Sequence, residues 1–187
     1  MYRTLVLLVG LFPAFGFGQV PYPQLPQPIT AFSFEDKDWG VGATATPKRA
    51  PYHAPTPTSI PGARVVKTLE LKALLESNRS LIIIDVLGSK NRQSVPGALW
   101  MAGAGAGDGQ FFDAEKIRFS TALDKLTAGD KTRPIVFLCL SSECWLSYNA
   151  SLHAVEAGYK DVIWYRGGTN AWSGASLEVV KAEPVAW

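Results

Sequence analysis

The stretch Ile135-Val136-Phe137-Leu138-Cys139, followed by Leu140-Ser141-Ser142-Glu143 and then Cys144-Trp145-Leu146-Ser147-Tyr148-Asn149-Ala150, decides the fold. Its first five residues form a continuous apolar run, the pattern of a strand covered on both faces. A short polar loop follows, and residues 145–157 then read as a helix, ended by Gly158 at the C′ position. In an open parallel α/β sheet, sites lie just beyond the carboxyl ends of the strands. Cys139 falls at such an end, and Cys144 opens the next helix.

Working outward, the same alternation extends in both directions. Residues 64–66 predict a brief strand, 69–76 a helix, 81–86 (Leu81-Ile82-Ile83-Ile84-Asp85-Val86) a second buried strand and 98–101 a short one. Asp113 can cap a helix whose periodic part spans 117–126. Residues 162–165 predict another strand, and Gly167-Gly168 turn the chain into a short helix over 169–173. Such alternation implies a doubly wound parallel α/β sheet with helices on both faces. There is no internal repeat. The Gly/Ala stretch 103–109 lacks a following Lys-Ser/Thr and helix, so it reads as a loop and not as a phosphate cradle.

The amino-terminal third differs in composition. Residues 1–18 have the form of a signal peptide: Arg3 supplies a positive start, 5–12 are apolar, and Gly16 and Gly18 fit a cleavage site before Gln19. An uncleaved anchor is the alternative, but the apolar run is short for a bilayer and Pro13 breaks it. Export would place the chain in an oxidising, periplasmic compartment, with no membrane span after cleavage. Residues 19–61 carry nine of the thirteen prolines and no sustained apolar period, which predicts an extended Pro-rich leader. Phe32, Phe34, Trp39 and Tyr52 are bulky enough to dock it on a folded surface; a free tether is the other reading. Residues 62–187 form the globular part. With 47% hydrophobic residues, 18% charged and a net charge of +2 without long runs, a buried core is expected and a nucleic-acid footprint is not.

The chain has two cysteines, and both are in the quoted stretch. Loop amides and the helix start favour negative charge there, so a thiolate on Cys139 would be stabilised, and the loop's N–H groups could converge on one sulfur. A disulfide is the competing reading, since neighbouring cysteines in an oxidising compartment usually pair when their Cα atoms come close enough. So short a ring constrains the unfolded chain little, which favours chemistry over a purely structural role. Trp145 reads as a packed aromatic at the helix start more than a pocket wall. Asn149 either ties the helix to the leader or is a surface amide, and Asp85 either orders the active loop or merely caps its strand. His53 and His153 are the two histidines. No four-ligand metal set is expected, although a two-thiolate site for a soft ion such as copper(I) stays open. Neither a covalent haem motif nor a serine-hydrolase elbow is present, and no cofactor is expected.

Several of these residues occur in a familiar order. Ile84-Asp85-Val86, Val95-Pro96-Gly97-Ala98, the strand ending on Cys139, Gly158-Tyr159, and Tyr165-Arg166-Gly167-Gly168 with Ala171-Trp172 resemble the rhodanese homology domain from about residue 64 to 172. That resemblance implies a rhodanese-like fold in which Cys139 accepts sulfur as a persulfide and passes it to a nucleophile. The family's six-residue loop ends on Arg; here that position is Cys144, and Leu87 replaces an Arg after Asp-Val. Losing fixed guanidinium groups weakens anion binding, and gaining a second thiol opens a disulfide route.

A narrower resemblance rests on Tyr52-His53-Ala54-Pro55-Thr56-Pro57, Ile60-Pro61-Gly62-Ala63 and Cys144 to Ala150. These look like the exported PQQ-dependent catabolism-associated CXXCW-motif proteins, although four residues separate the cysteines here. This resemblance implies an accessory role beside a periplasmic quinoprotein alcohol oxidation system, with a quinoprotein dehydrogenase or its cytochrome as partner. The reading expected from sequence is sulfur-transfer or thiol–disulfide chemistry on Cys139 and Cys144, with a small sulfur donor or acceptor or a protein thiol as reactant. Leu140, Ser141, Ser142, Glu143 and Trp145 would form the active loop, supported by Asp85 and Asn149. The alternative is a non-catalytic binding module whose disulfide is structural.

Overall fold

A computed structural model describes residues 32–89, 92–106 and 112–187. The expected signal peptide and the first part of the leader lie outside the described residues. In chain order the elements are β1 (Arg64–Val66), α1 (Thr68–Ser77), β2 (Ile82–Asp85), β3 (Gln93–Ser94), β4 (Leu99–Trp100), α2 (Phe112–Thr127), β5 (Ile135–Leu138), α3 (Trp145–Glu156), β6 (Val162–Tyr165), α4 (Gly168–Gly174), β7 (Val180–Lys181) and β8 (Glu183–Pro184).

Six strands form one sheet in the order β1-β6-β5-β2-β4-β8, and every pairing in it is parallel. The doubly wound α/β architecture expected from sequence is therefore present. Alternate residues of each central strand point to opposite faces, as the pleat requires. Ile82, Ile84, Ile135 and Phe137 pack with Phe119, Ala122 and Leu123 of α2 and with Leu146, Ala150 and Ala154 of α3. Ile83, Val136, Leu138, Ile163 and Tyr165 pack instead with Leu71 of α1 and Ala171 and Trp172 of α4. Each large apolar side chain so buried contributes about 1.5–3 kcal/mol. The chain steps from β2 to β4 on one side, crosses back to β5, and then steps to β6 on the other. The winding thus reverses between β2 and β5, and the carboxyl ends of those two strands carry Asp85 and Cys139.

Some expectations are adjusted. The helix expected over 117–126 starts earlier, at Phe112, so Asp113 lies in its first turn and does not cap it. The strand expected over 98–101 is the two-residue β4. The antiparallel pair β3·β7 and the edge strand β8 have no counterpart in the sequence reading. At two residues each, they are too short to show an apolar period.

Residues 32–61 lie against the domain. Tyr148, fully buried, donates to the Thr44 carbonyl (2.7 Å) and accepts from the Thr44 amide (2.9 Å). Tyr52 and Phe32 pack against core clusters, whereas Phe34 stays 66% exposed. Much of the docking is done by backbone groups. Both amides, of Thr44, Lys48, Ala54 and Thr56, and carbonyls, of Thr44, Lys48 and Pro55, bond to the domain.

Candidate active loop

Cys139 and Cys144 are joined by a disulfide with a Cα separation of 6.2 Å, inside the usual disulfide range. They are 1% and 2% exposed. The bond bridges the whole loop between β5 and α3, so the two thiols form one covalent unit.

The loop's backbone is committed elsewhere. The Glu143 amide donates to Ser141 Oγ (3.2 Å), the Cys144 amide to the Ser141 carbonyl (3.1 Å), and the Trp145 amide to the Tyr52 carbonyl (2.9 Å). The expectation that the loop amides converge on one sulfur is therefore corrected for these three. Local turn formation and pairing with the leader take them first.

The leader is strapped across this loop. The Ala54 amide donates to the Glu143 carbonyl (2.9 Å), and the Thr56 amide and hydroxyl both donate to the Ser142 carbonyl, at 3.1 and 2.6 Å. His53 and Cys144 form an antiparallel bridge pair. Trp145 donates its indole N–H to the Pro55 carbonyl (3.0 Å) and packs on Tyr148 with ring centroids 4.9 Å apart, so it is a packed aromatic as read from sequence. Asn149 is fully buried: Oδ1 accepts from the Lys48 amide (2.9 Å), and Nδ2 donates to the Lys48 and Gly105 carbonyls (2.8 and 2.9 Å). It ties the helix to the leader; a surface amide is ruled out.

On the other side of the loop, Asp85 is fully buried at the end of β2. Its carboxylate accepts from Arg92 Nε (2.6 Å), Ser94 Oγ (2.6 Å) and the Leu87 amide (3.0 Å). Burial pushes its carboxyl above the usual range, while Arg92, Ser94 and Leu87 pull it back in part. Arg92 Nη2 also donates to Thr169 Oγ1 (3.0 Å) and reaches the Cys139 carbonyl at 3.5 Å, at the limit of a hydrogen bond. Asp85 thus supports the loop through a guanidinium that lies seven residues along the chain.

The end of α4 seals the arrangement. The Thr169 and Asn170 amides donate to the Cys139 and Leu140 carbonyls (3.1 and 2.9 Å). Gly168 makes this approach possible: with φ +60°, an added Cβ would lie 2.6 Å from the Cys139 carbonyl oxygen.

Arg92, Ser94, Thr56, Thr169, Gly168 and Arg166 escaped the sequence reading as site residues. Arg166, 1% exposed, donates to the Glu35, Lys37 and Thr56 carbonyls (2.8, 2.8 and 3.0 Å) and to Thr56 Oγ1 (3.1 Å). Thr56 and Arg166 stood inside quoted motifs, but nothing in their spacing showed that they meet. Among the described residues, no group of three or more His, Cys, Asp or Glu side chains could hold a metal ion, and no helix is long and apolar enough to cross a membrane.

A doubly wound parallel sheet with a cysteine at the carboxyl end of a central strand, opening a short loop into the next helix, defines a class of single-site α/β domains. The Rhodanese-like domain family model matches residues 67–175, more than half the chain, and the protein belongs to that family. Its fold is similar to thiosulfate sulfurtransferase from Pseudomonas aeruginosa, with 19% identity, a TM-score of 0.49, and coverage of 67% of this chain and 22% of that one. The present chain therefore spans only a small part of that protein's length. It is also similar to the polysulfide-sulfur transferase homodimer from Wolinella succinogenes (18% identity, TM-score 0.43, 67% and 81% coverage). A rhodanese-like domain from Anabaena sp. is a third likeness (21% identity, TM-score 0.46, 64% and 78% coverage). At these identities the likeness concerns fold alone. No curated protein matches the sequence.

Proposed function

We propose that this is an exported, periplasmic rhodanese-like protein that carries sulfur-transfer or thiol–disulfide chemistry on Cys139 and Cys144 and rests as the disulfide. The observation that carries the reading is the covalent pairing of the two ends of the family's active loop. A disulfide-bonded Cys139 has no thiolate with which to accept sulfur, so reduction must come first.

The cycle balances as follows. A dithiol reductant supplies two electrons and two protons, opening the disulfide and becoming a disulfide itself. Cys139 thiolate then attacks the outer sulfur of a donor such as thiosulfate, forming a Cys139 persulfide and releasing sulfite. Cys144 thiolate attacks the Cys139 sulfur, hydrosulfide leaves, and the Cys139–Cys144 bond is restored. A protein dithiol or thiol can replace the small reactants at either end. The motifs shared with CXXCW-motif proteins support a place beside a PQQ-dependent alcohol oxidation system, with a quinoprotein dehydrogenase or cytochrome as partner.

The burial of both sulfurs and the strap over the loop favour a second reading, a non-catalytic binding module in which the disulfide shapes a recognition surface. Incubation with thiosulfate and a dithiol separates the two. The first reading expects sulfite and sulfide in equal amounts, both lost in Cys139→Ser, whereas Cys144→Ser still releases sulfite as the Cys139 persulfide forms and gives sulfide only as the added dithiol attacks it. Absence of both products from folded protein supports the binding module.

A further inference from the structure

The strap pairs the backbone of one histidine with that of a disulfide cysteine. His53 is the bridge partner of Cys144, and the flanking bonds run from the Ala54 amide to the Glu143 carbonyl and from the Trp145 amide to the Tyr52 carbonyl. Those bonds join the neighbours of the pair and not the pair itself. His53 and Cys144 are therefore a non-hydrogen-bonded antiparallel pair, the kind whose Cα atoms lie about 4.5 Å apart with both side chains on the same face. Cys144 has extended backbone (φ −125°, ψ 110°), so the alternation rule applies to it. His53 itself is exposed, whereas Cys144 is buried.

We infer that His53 is the acid–base partner of Cys144. This rests on the thiol reading proposed above and assigns its proton. When an incoming thiolate bonds to the Cys139 sulfur, the electron pair of the broken S–S bond stays on Cys144, and protonated His53 supplies the proton that this leaving thiolate takes up. On reclosure, neutral His53 accepts the Cys144 proton as the Cys144 sulfur attacks Cys139 and the group carried there leaves. While protonated, the imidazolium favours the Cys144 thiolate. The charged groups on the elements packed around the pair are Glu143 in the loop, Lys48 over the Trp145 ring, Arg166 at Thr56, and the Asp85–Arg92 pair at the Cys139 end. Among these His53 is the one placed directly across from Cys144.

The test uses the full chain with Cys139→Ser, which leaves Cys144 as the sole thiol, with and without His53→Asn. The rate of alkylation by iodoacetamide is followed against pH by intact mass. At about pH 6 the His53 protein should react roughly tenfold faster, because one unit in thiol pKa is a tenfold change in thiolate. High salt should narrow the gap. The helix terminus at Cys144 is common to both proteins and cancels. Superimposable pH profiles overturn the inference. Should Cys139→Ser fail to fold, the same comparison is made on the dithiol-reduced protein with and without His53→Asn, by peptide-resolved alkylation of Cys144. The two failures are distinguishable: a His53-dependent profile without sulfur turnover sinks the functional reading and leaves the pair intact, whereas turnover with superimposable profiles does the reverse.

Discussion

Arg92 and Asp85 form a buried ion pair, Nε to Oδ2 at 2.6 Å, at the carboxyl end of β2 beside the first residue of the active loop. The guanidinium bonds a carboxylate at one end and reaches Thr169 and the Cys139 carbonyl at the other, so it transmits the position of β2 to the loop.

Replacing Arg92 with Met leaves Asp85 buried without its cation, a loss of about 3–5 kcal/mol. The sign with pH follows from the direction of the shift. The folded carboxyl is raised above 3.8, so its contribution is full below that value and is lost as pH rises through the folded pKa. Without Arg92 the folded value moves higher. Urea unfolding of Arg92→Met should show a penalty that grows as pH rises above 3.8; a constant penalty would mean that Asp85 stays ionised without its partner.

Thr56 links the strap to the loop, because its hydroxyl donates to Ser142 and accepts from Arg166. Thr56→Val is expected to cost about 1–3 kcal/mol and to speed reduction of the disulfide by dithiothreitol. Unchanged reduction kinetics in a destabilised variant would show that the strap does not control access.

Gly168→Ala meets the Cys139 carbonyl at 2.6 Å and a left-handed φ of +60°. Overpacking and backbone strain together predict a loss of about 2–4 kcal/mol, read by thermal or urea unfolding. A near-neutral effect would mean that α4 can draw back from the loop.

His153, 5% exposed between α2 and α3, has its pKa lowered by burial and then by Lys116, with Glu156 opposing. A depressed base contributes stability that is present above 6.5 and lost as pH falls through the folded value. His153→Gln should flatten the acid limb of the stability profile below about pH 6.5.

The sheet was legible because Ile82 to Asp85 and Ile135 to Leu138 are buried on both faces and so are apolar without interruption. The loop was legible because two cysteines bound it. Arg92 was not, since the family's guanidinium follows Asp-Val directly, where Leu87 stands here, and the six residues between Asp85 and Arg92 carry no pattern that folds it back. Arg166 and the strap were illegible for a related reason. Arg166 bonds to the carbonyls of Glu35, Lys37 and Thr56, the strap bonds to those of Ser142 and Glu143, and a carbonyl leaves no mark on sequence. Phe34, read as bulky enough to dock, is 66% exposed.

The central claim is that Cys139 carries sulfur and Cys144 resolves it. Its most direct test is anaerobic intact-mass analysis of the protein reduced with a dithiol, freed of it and exposed to thiosulfate. The account predicts one added sulfur atom on Cys139, persistent in Cys144→Ser, and in the wild type its loss as hydrosulfide with return to the disulfide mass. A reduced, folded protein that gains no sulfur in either form would contradict it.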